Sequence, residues 1–372
     1  MAGLIVHEWI APHGGSENVA EAMARAYPDA EILSLWNDAP ARFPGRVVRE
    51  SWLAKTPLRK SKAAALPLMP TTWARTDVSA HDFVLVSSHL FAHHVGGAVR
   101  ADGPPKYVYV HTPARYIWTP ELDARGDNLL AKALARPLKR IDKLRAADGA
   151  VFAANSAFVR ERIRSTWDQD AIVIHPPVDV SRLQSVDAWE SQLSLDELAI
   201  LKSLPSEFVL GASRFVPYKR LDVVISAGEA ARLPVVLAGS GPMKAELEAA
   251  GAAAAVPVTL VDRPSDALLY ALYEAASVFV FPAVEDFGIM PVEAMSLGTP
   301  TVVSAEGGAR ESVDALAGGA VVEDFNSSSL AAGIDSALSA DMNAARGRAR
   351  AEFGEATFAS RLTTWMDTHA LR

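Results

Sequence analysis

Short, nearly continuous apolar runs alternate with helix-patterned segments along this 372-residue chain, and that alternation restricts the fold more than any other feature. "GLIVHEW" (3–9), "DFVLVSS" (82–88), "KYVYVHT" (106–112) and "DGAVFAANS" (148–156) are β-rich and end in small or polar residues. A second series follows: "EFVLGASRF" (207–215), "LPVVLAGSG" (233–241), "VPVTLVD" (256–262), "ASVFVFPA" (276–283) and "TPTVVSA" (299–305). Strands without a polar face need cover on both sides, so the pattern predicts parallel sheets flanked by helices, an α/β architecture. Between the series, "VIHPPVDVSRLQSVDAWESQLS" (173–194) carries a Pro pair and loses its period. We therefore expect a doubly wound domain over 1–175, a linker over 176–190 and a second doubly wound domain over 191–355. Ligands in such sheets bind beyond the carboxyl ends of the strands, so two facing domains would share a cleft.

Composition excludes several classes. Half the residues are hydrophobic and 22% are charged, as in a well-packed soluble globule. No apolar run reaches the roughly 18 residues of a membrane span, and "MAGLIVHEWI" reads as a first strand rather than an export signal. A cytoplasmic protein is the expectation. Zero cysteines exclude disulfides, thiolate zinc sites and thiol catalysis. The net charge of −8 is uneven, with +4 over residues 1–175 and −12 over the remainder. A nucleic-acid binder would show a stronger basic excess, so no nucleic-acid partner is expected.

Polar residues at strand ends are the candidates for chemistry. "GGSE" (14–17) follows the first strand and opens a helix, so Gly14 and Gly15 let backbone and free N–H groups approach an anion. "GSGPMK" (239–244) is a weaker glycine loop, and neither matches a dinucleotide fingerprint or a P-loop. "SRFVPYKRLD" (213–222) sets Arg214, Lys219 and Arg220 in a half with only 14 basic residues, as a phosphate site would require. In "AVEDFGIMPVEAM" (283–295), Glu285 and Glu293 bracket a glycine turn. Pro291 reads as the first helical residue and Gly298 as the stop. Complementarity with the helix dipole accounts for Glu293 but not for Glu285. Two separated carboxylates could grip two polyols, such as a sugar and a ribose, with phosphates between them near Arg214 and Lys219.

These motifs, with "YVYVHTPARYIW" (107–118), "FAANSAFVRERI" (152–163), "HPPVD" and "EDFGIMPVEAMSLGTP", resemble the retaining glycosyltransferases of family 4 along almost the whole chain. The resemblance implies the GT-B architecture of two facing Rossmann-like domains, with a last helix (356–372) crossing back to the first. It implies that Glu285 faces donor-sugar hydroxyls and that amides around Phe287, Gly288 and Ile289 hold the sugar and distal phosphate. Glu293 would bind the ribose. Arg214 and Lys219 would neutralise the diphosphate, Gly15 would lie against the phosphates, and His111 would sit near the reacting face of the sugar. Arg263 of "VDRPSD" (261–266) would contact the base. The resemblance is strongest to the mannosyltransferase-like branch, implying GDP-mannose, with a UDP-sugar as the alternative.

Breaking the anomeric bond places negative charge on the diphosphate, which preorganised Arg, Lys and amide groups stabilise. No metal or other cofactor is then expected. "DQD" (168–170) reads as a turn, and adjacent His93 and His94 project apart, making a poor metal pair and ordinary loop residues. His7 fits either a packed or a cleft-facing position. The acceptor would be a glycan, glycolipid or lipid-linked molecule. Two basic, apolar segments, 53–75 and 130–148, could meet it or lie on the inner membrane face, and Pro137 interrupts the helical pattern of the second. A sugar-nucleotide epimerase, a phosphorylase or a catalytically silent sugar-nucleotide-binding subunit shares the scaffold.

Overall fold

A computed structural model describes residues 3–99, 102–119 and 129–370, with no side-chain account for 129–135 and 370. By contacts the chain divides into Met1–Pro177 with Phe358–Arg372, and Val178–Thr357. The first unit holds seven described strands: β1 (Gly3–His7), β2 (Glu31–Ser34), β3 (Val48–Glu50), β4 (Phe83–Ser88), β5 (Lys106–Val110), β6 (Val151–Ala154) and β7 (Ile172–Val173). They lie parallel in the order β3-β2-β1-β4-β5-β6-β7. The second unit holds β8 (Val209–Ala212), β9 (Val235–Gly239), β10 (Val258–Asp262), β11 (Val278–Phe281), β12 (Thr301–Ser304) and β13 (Gly319–Val322). Their order is β10-β9-β8-β11-β12-β13, again parallel. Each is a Rossmann-like sheet, and both match the expected α/β class.

The apolar runs are continuous because alternate residues feed two separate cores. Leu4 and Val6 of β1 pack on one face with Val84, Val86, Val108 and Val110. Ile5 packs on the other with Leu85, Tyr107 and Tyr109. In the second sheet Leu210, Phe279 and Phe281 enter one core, and Val209, Val278 and Val280 enter the other. A period-2 chain buried on both faces shows no polar alternation.

Two local expectations change. Residues 178–190 are not an open linker, because Val178, Val180, Leu183 and Trp189 are core residues of the second unit. Asp179 caps the short helix Val180–Leu183 there. The helix Leu129–Ala146 runs through Pro137 without stopping. The 53–75 segment is a series of short helical turns that bury Leu53, Ala65, Met69 and Trp73. Among the described residues no helix is long and apolar enough to cross a membrane.

The last helix, Glu355–Ala370, places Phe358, Leu362, Trp365 and Met366 in the core of the first unit, at the spacing of one helical face. Tyr107 donates its hydroxyl hydrogen to the carbonyl of Met366 at 3.1 Å, and its ring meets Trp365 edge-on at 5.5 Å. Trp365→Ala removes a buried indole and should cost about 3–5 kcal/mol. Denaturant unfolding read by hydrogen exchange in β5 measures it, with protection expected to fall in the first unit and to hold in the second.

Candidate functional site

In each sheet the strand order reverses between the first strand and the fourth, so the flanking crossovers leave in opposite directions and open a crevice. In the second unit that position lies between β8 and β11, whose outgoing loops carry Arg214–Lys219 and Glu285. Lys219 ends a 3-10 turn (Pro217–Lys219), and its ammonium contacts the Glu285 carboxylate directly. The ammonium also lies 5.2 Å from the ring of Tyr218 and 5.5 Å from that of Phe281. Arg214, on the same loop, donates to the Tyr218 hydroxyl at 2.8 Å. Tyr218 thus holds both cations, one at its face and one at its hydroxyl. The loop closes at Arg220, whose left-handed backbone (φ 50°) turns the chain into the next helix.

Glycines let these loops approach one another. A Cβ on Gly239 would sit 1.8 Å from the carbonyl oxygen of Ser213, and one on Gly308 would sit 2.2 Å from that of Asp286. The Gly308 amide donates to the carbonyl of Glu285 at 2.8 Å. "GSG" therefore backs the Arg214 loop, and Gly307-Gly308 back the Glu285 loop. The helix after Glu285 runs Ile289–Leu297, with Gly288 as its left-handed N-cap and Gly298 as its left-handed C-cap. It begins two residues earlier than the Pro291 rule predicts. Pro291 is its third residue, where a missing N–H still costs no intrahelical bond. The amides of Ile289 and Met290 belong to the open first turn. The Phe287 ring belongs to the core and lies 5.7 Å from that of Phe353.

Glu293 stands apart from the Lys219–Glu285 pair. Burial, reinforced by Asp266, pushes its carboxyl up to about 7. Tyr270 and Tyr273 lie within its electrostatic reach. Hydroxyl donors arriving at such a carboxylate would favour its charged form. Arg263 is exposed at the end of β10, with φ 47°, and its amide donates to the carbonyl of Gly239 at 3.0 Å. No described contact brings it to the pair.

In the first unit the corresponding position carries histidines. His7 ends β1, Ser87 lies near the end of β4, and His111 follows β5. The Ser87 hydroxyl lies 3.0 Å from His7 Nδ1 and 2.8 Å from His111 Nε2. A hydroxyl has one hydrogen, so it accepts from one imidazole and donates to the other, coupling their tautomers. Burial lowers His7, and with His7 beside it burial lowers His111 to about 3, so both rings are neutral near pH 7. His7 is packed, and it orders His111 through Ser87. Helical structure starts at Gly15, with Gly14 as N-cap. A Cβ on Gly14 would meet the Glu17 carboxylate at 2.0 Å, and that carboxylate accepts from the Ala11 amide at 3.2 Å.

"DQD" is a turn: Asp168 is a left-handed C-cap and Asp170 takes both Arg160 and Arg164. The reading of His93 and His94 as loop residues pointing apart is overturned. Both are buried on a 3-10 turn (Ala92–His94), and both Nε2 atoms turn toward Asp142 Oδ1. Tyr218, Ser87 and Gly307-Gly308 were missed at the sequence level. Only the paired glycine before a helix left a readable signal.

A carboxyl raised in the folded state opposes folding as pH rises from its unfolded value of 4.5 to about 7, because the native state then holds more protons than the unfolded one. Glu293→Gln removes that contribution. Its melting temperature relative to the native chain should rise progressively across that window, as read by thermal unfolding at several pH values.

Residues 13–182 match the Glycosyltransferase Family 4 model, and residues 199–357 match the model for Glycosyl transferases group 1. An uncharacterized glycosyltransferase of Methanocaldococcus jannaschii is 29% identical over 192 residues, which cover 47% of this chain and 49% of that protein. A D-inositol 3-phosphate glycosyltransferase of Mycobacterium sp. (strain KMS) is 31% identical over 221 residues, 55% of this chain and 48% of that protein. The chain thus spans about half the length of these relatives. A D-inositol 3-phosphate glycosyltransferase of Streptomyces avermitilis is 29% identical over 92% of this chain and 79% of its own. Anabaena HepE in complex with UDP has a TM-score of 0.70 at 18% identity, covering 99% of this chain and 100% of that one. Sucrose-phosphate synthase from Thermosynechococcus elongatus also reaches 0.70 at 18%, with 99% of both chains covered. At such identities the structural likeness speaks for the fold. Each half of the chain thus matches a different glycosyltransferase family model, and the fold of the two sheets is that of GT-B glycosyltransferase structures.

Proposed function

We propose that the protein is a retaining hexosyltransferase that uses a nucleotide-diphosphate sugar and needs no divalent metal. The observation that carries this reading is the Lys219–Glu285 contact at the strand-order reversal of the second sheet, with Arg214 tied in through Tyr218. Without a ligand, cation and carboxylate neutralise each other. A diphosphate arriving beside Arg214 would draw Lys219 to phosphate oxygens and release Glu285 to accept from sugar hydroxyls. Amides of the Ile289 turn would add donors for the distal phosphate. Glu293 would take the ribose, and Arg263 the base.

As the anomeric carbon–oxygen bond breaks, the leaving diphosphate gains charge that Arg214 and Lys219 offset. The acceptor hydroxyl attacks from the same face, and its proton passes to the departing phosphate oxygen. Configuration is retained without a covalent intermediate on the protein. His111, neutral and fixed through Ser87, would offer a hydrogen bond to the donor sugar rather than charge.

GDP-mannose is the donor proposed on the motif resemblance. A UDP-sugar is the second reading, favoured by the UDP and UDP-glucose complexes of HepE. The acceptor would be a glycan, glycolipid or lipid-linked molecule, and the name of the D-inositol 3-phosphate glycosyltransferases adds an inositol phosphate to that set. Exposed Trp52 and Leu68 beside the basic residues of 53–75 suit peripheral contact with the cytoplasmic membrane face.

A thermal-shift series with GDP, UDP, ADP and their sugar conjugates, run in EDTA, tests the proposal. GDP and GDP-mannose should raise the melting temperature of the native chain and leave Arg214→Ala unmoved. A response to UDP compounds alone replaces the donor, and no response to any of them rejects the reading. In turnover with the responding donor, Arg214→Ala or Lys219→Ala should lower kcat about 10²–10³-fold.

A further inference from the structure

We propose that His93, His94 and Asp142 form a buried site for a divalent transition metal, zinc foremost, that braces the first unit and is separate from donor chemistry. The three side chains are essentially inaccessible to solvent, and their ligand atoms lie within 4.8 Å of one another. His93 Nε2 is 3.3 Å and His94 Nε2 3.2 Å from the same carboxylate oxygen, Asp142 Oδ1. Those separations match the edge of a tetrahedron with bonds of about 2.0–2.1 Å, which is about 3.3 Å.

A cluster held by hydrogen bonds alone satisfies these groups poorly. His93 Nε2 is buried and makes no hydrogen bond. An ion bound between the rings and Oδ1 gives His93 Nε2 a partner and sets a positive charge against a buried carboxylate. Asp142 and His93 each have outer partners of the kind that orient metal ligands. Asp142 Oδ2 accepts from the indole N–H groups of Trp118 at 2.6 Å and Trp167 at 2.7 Å, leaving Oδ1 to the histidines. The Ser88 hydroxyl lies 3.3 Å from His93 Nδ1, which favours a hydrogen there and a free lone pair at Nε2.

The turn that carries the pair is clamped by two buried ionisable side chains. Glu8 accepts the amides of Leu90 at 2.9 Å and Ala92 at 2.6 Å, at its start. Lys106 donates to the carbonyls of His93, Val95 and Gly97 at 3.3, 3.2 and 2.8 Å, at its end. Two buried ionisable groups spent on one short turn set the two imidazoles at right angles, 4.4 Å apart. Three protein ligands leave a fourth position for water. The ion would tie this turn to the Leu129–Ala146 helix and, through Trp118, to the segment that follows His111.

The test uses the full chain without a polyhistidine tag. Elemental analysis should find about one equivalent of zinc per chain. Stripping with a chelator should lower the melting temperature, and zinc should restore it. Cobalt added to the stripped chain should give visible ligand-field absorption that zinc abolishes. His94→Gln should keep its circular dichroism and hold no metal; if that variant does not fold, the cobalt spectrum of the native chain decides. A native chain that binds neither zinc nor cobalt after refolding in either, with an unchanged melting temperature, overturns the proposal. So does full metal retention by folded His94→Gln.

Discussion

Everything placed at the candidate site follows from burying parallel strands on both faces. Each strand must return over the sheet through a helix, and the crossovers can cover both faces only if the strand order reverses once. At that reversal the outgoing loops diverge and leave backbone and side chains open to a ligand. β8 and β11 put Lys219 and Glu285 there, and β1 and β4 put His7 and Ser87 there. The chemistry is concentrated because the cores on either side have no room for it.

Close backbone approach is the second constraint. The loops bearing Arg214 and Glu285 rest on Gly239 and Gly308, where any side chain would strike a carbonyl oxygen. Cation and carboxylate meet because the glycines allow it. The pair is partly accessible, and its opposite charges offset each other.

Buried charge in the first unit has another purpose. Burial pushes Glu8 up to about 7 and Lys106 down to about 8; backbone amides offset the first, and backbone carbonyls together with the Asp148 charge offset the second. Such groups stabilise little, but they fix one turn in one geometry. That turn carries His93 and His94.

The sequence by itself determined the fold class and the ends of the main strands, because apolar runs buried on two faces and the glycines after them are local signals. It also marked Arg214 and Lys219, basic residues in an acidic half, and Glu285 and Glu293, which bracket a glycine turn. The strands β3 and β7 went unread because two or three residues carry too little periodicity, and β2 and β13 because exposed or half-buried residues interrupt their apolar runs. Only the tertiary structure decided that Lys219 meets Glu285, that Tyr218 joins the two cations, and that Ser87 couples His7 to His111. It also turned two neighbouring histidines onto an aspartate some fifty residues away. Contacts between loops from different strands depend on strand order, and strand order is set by how whole faces pack, which no single stretch of sequence contains.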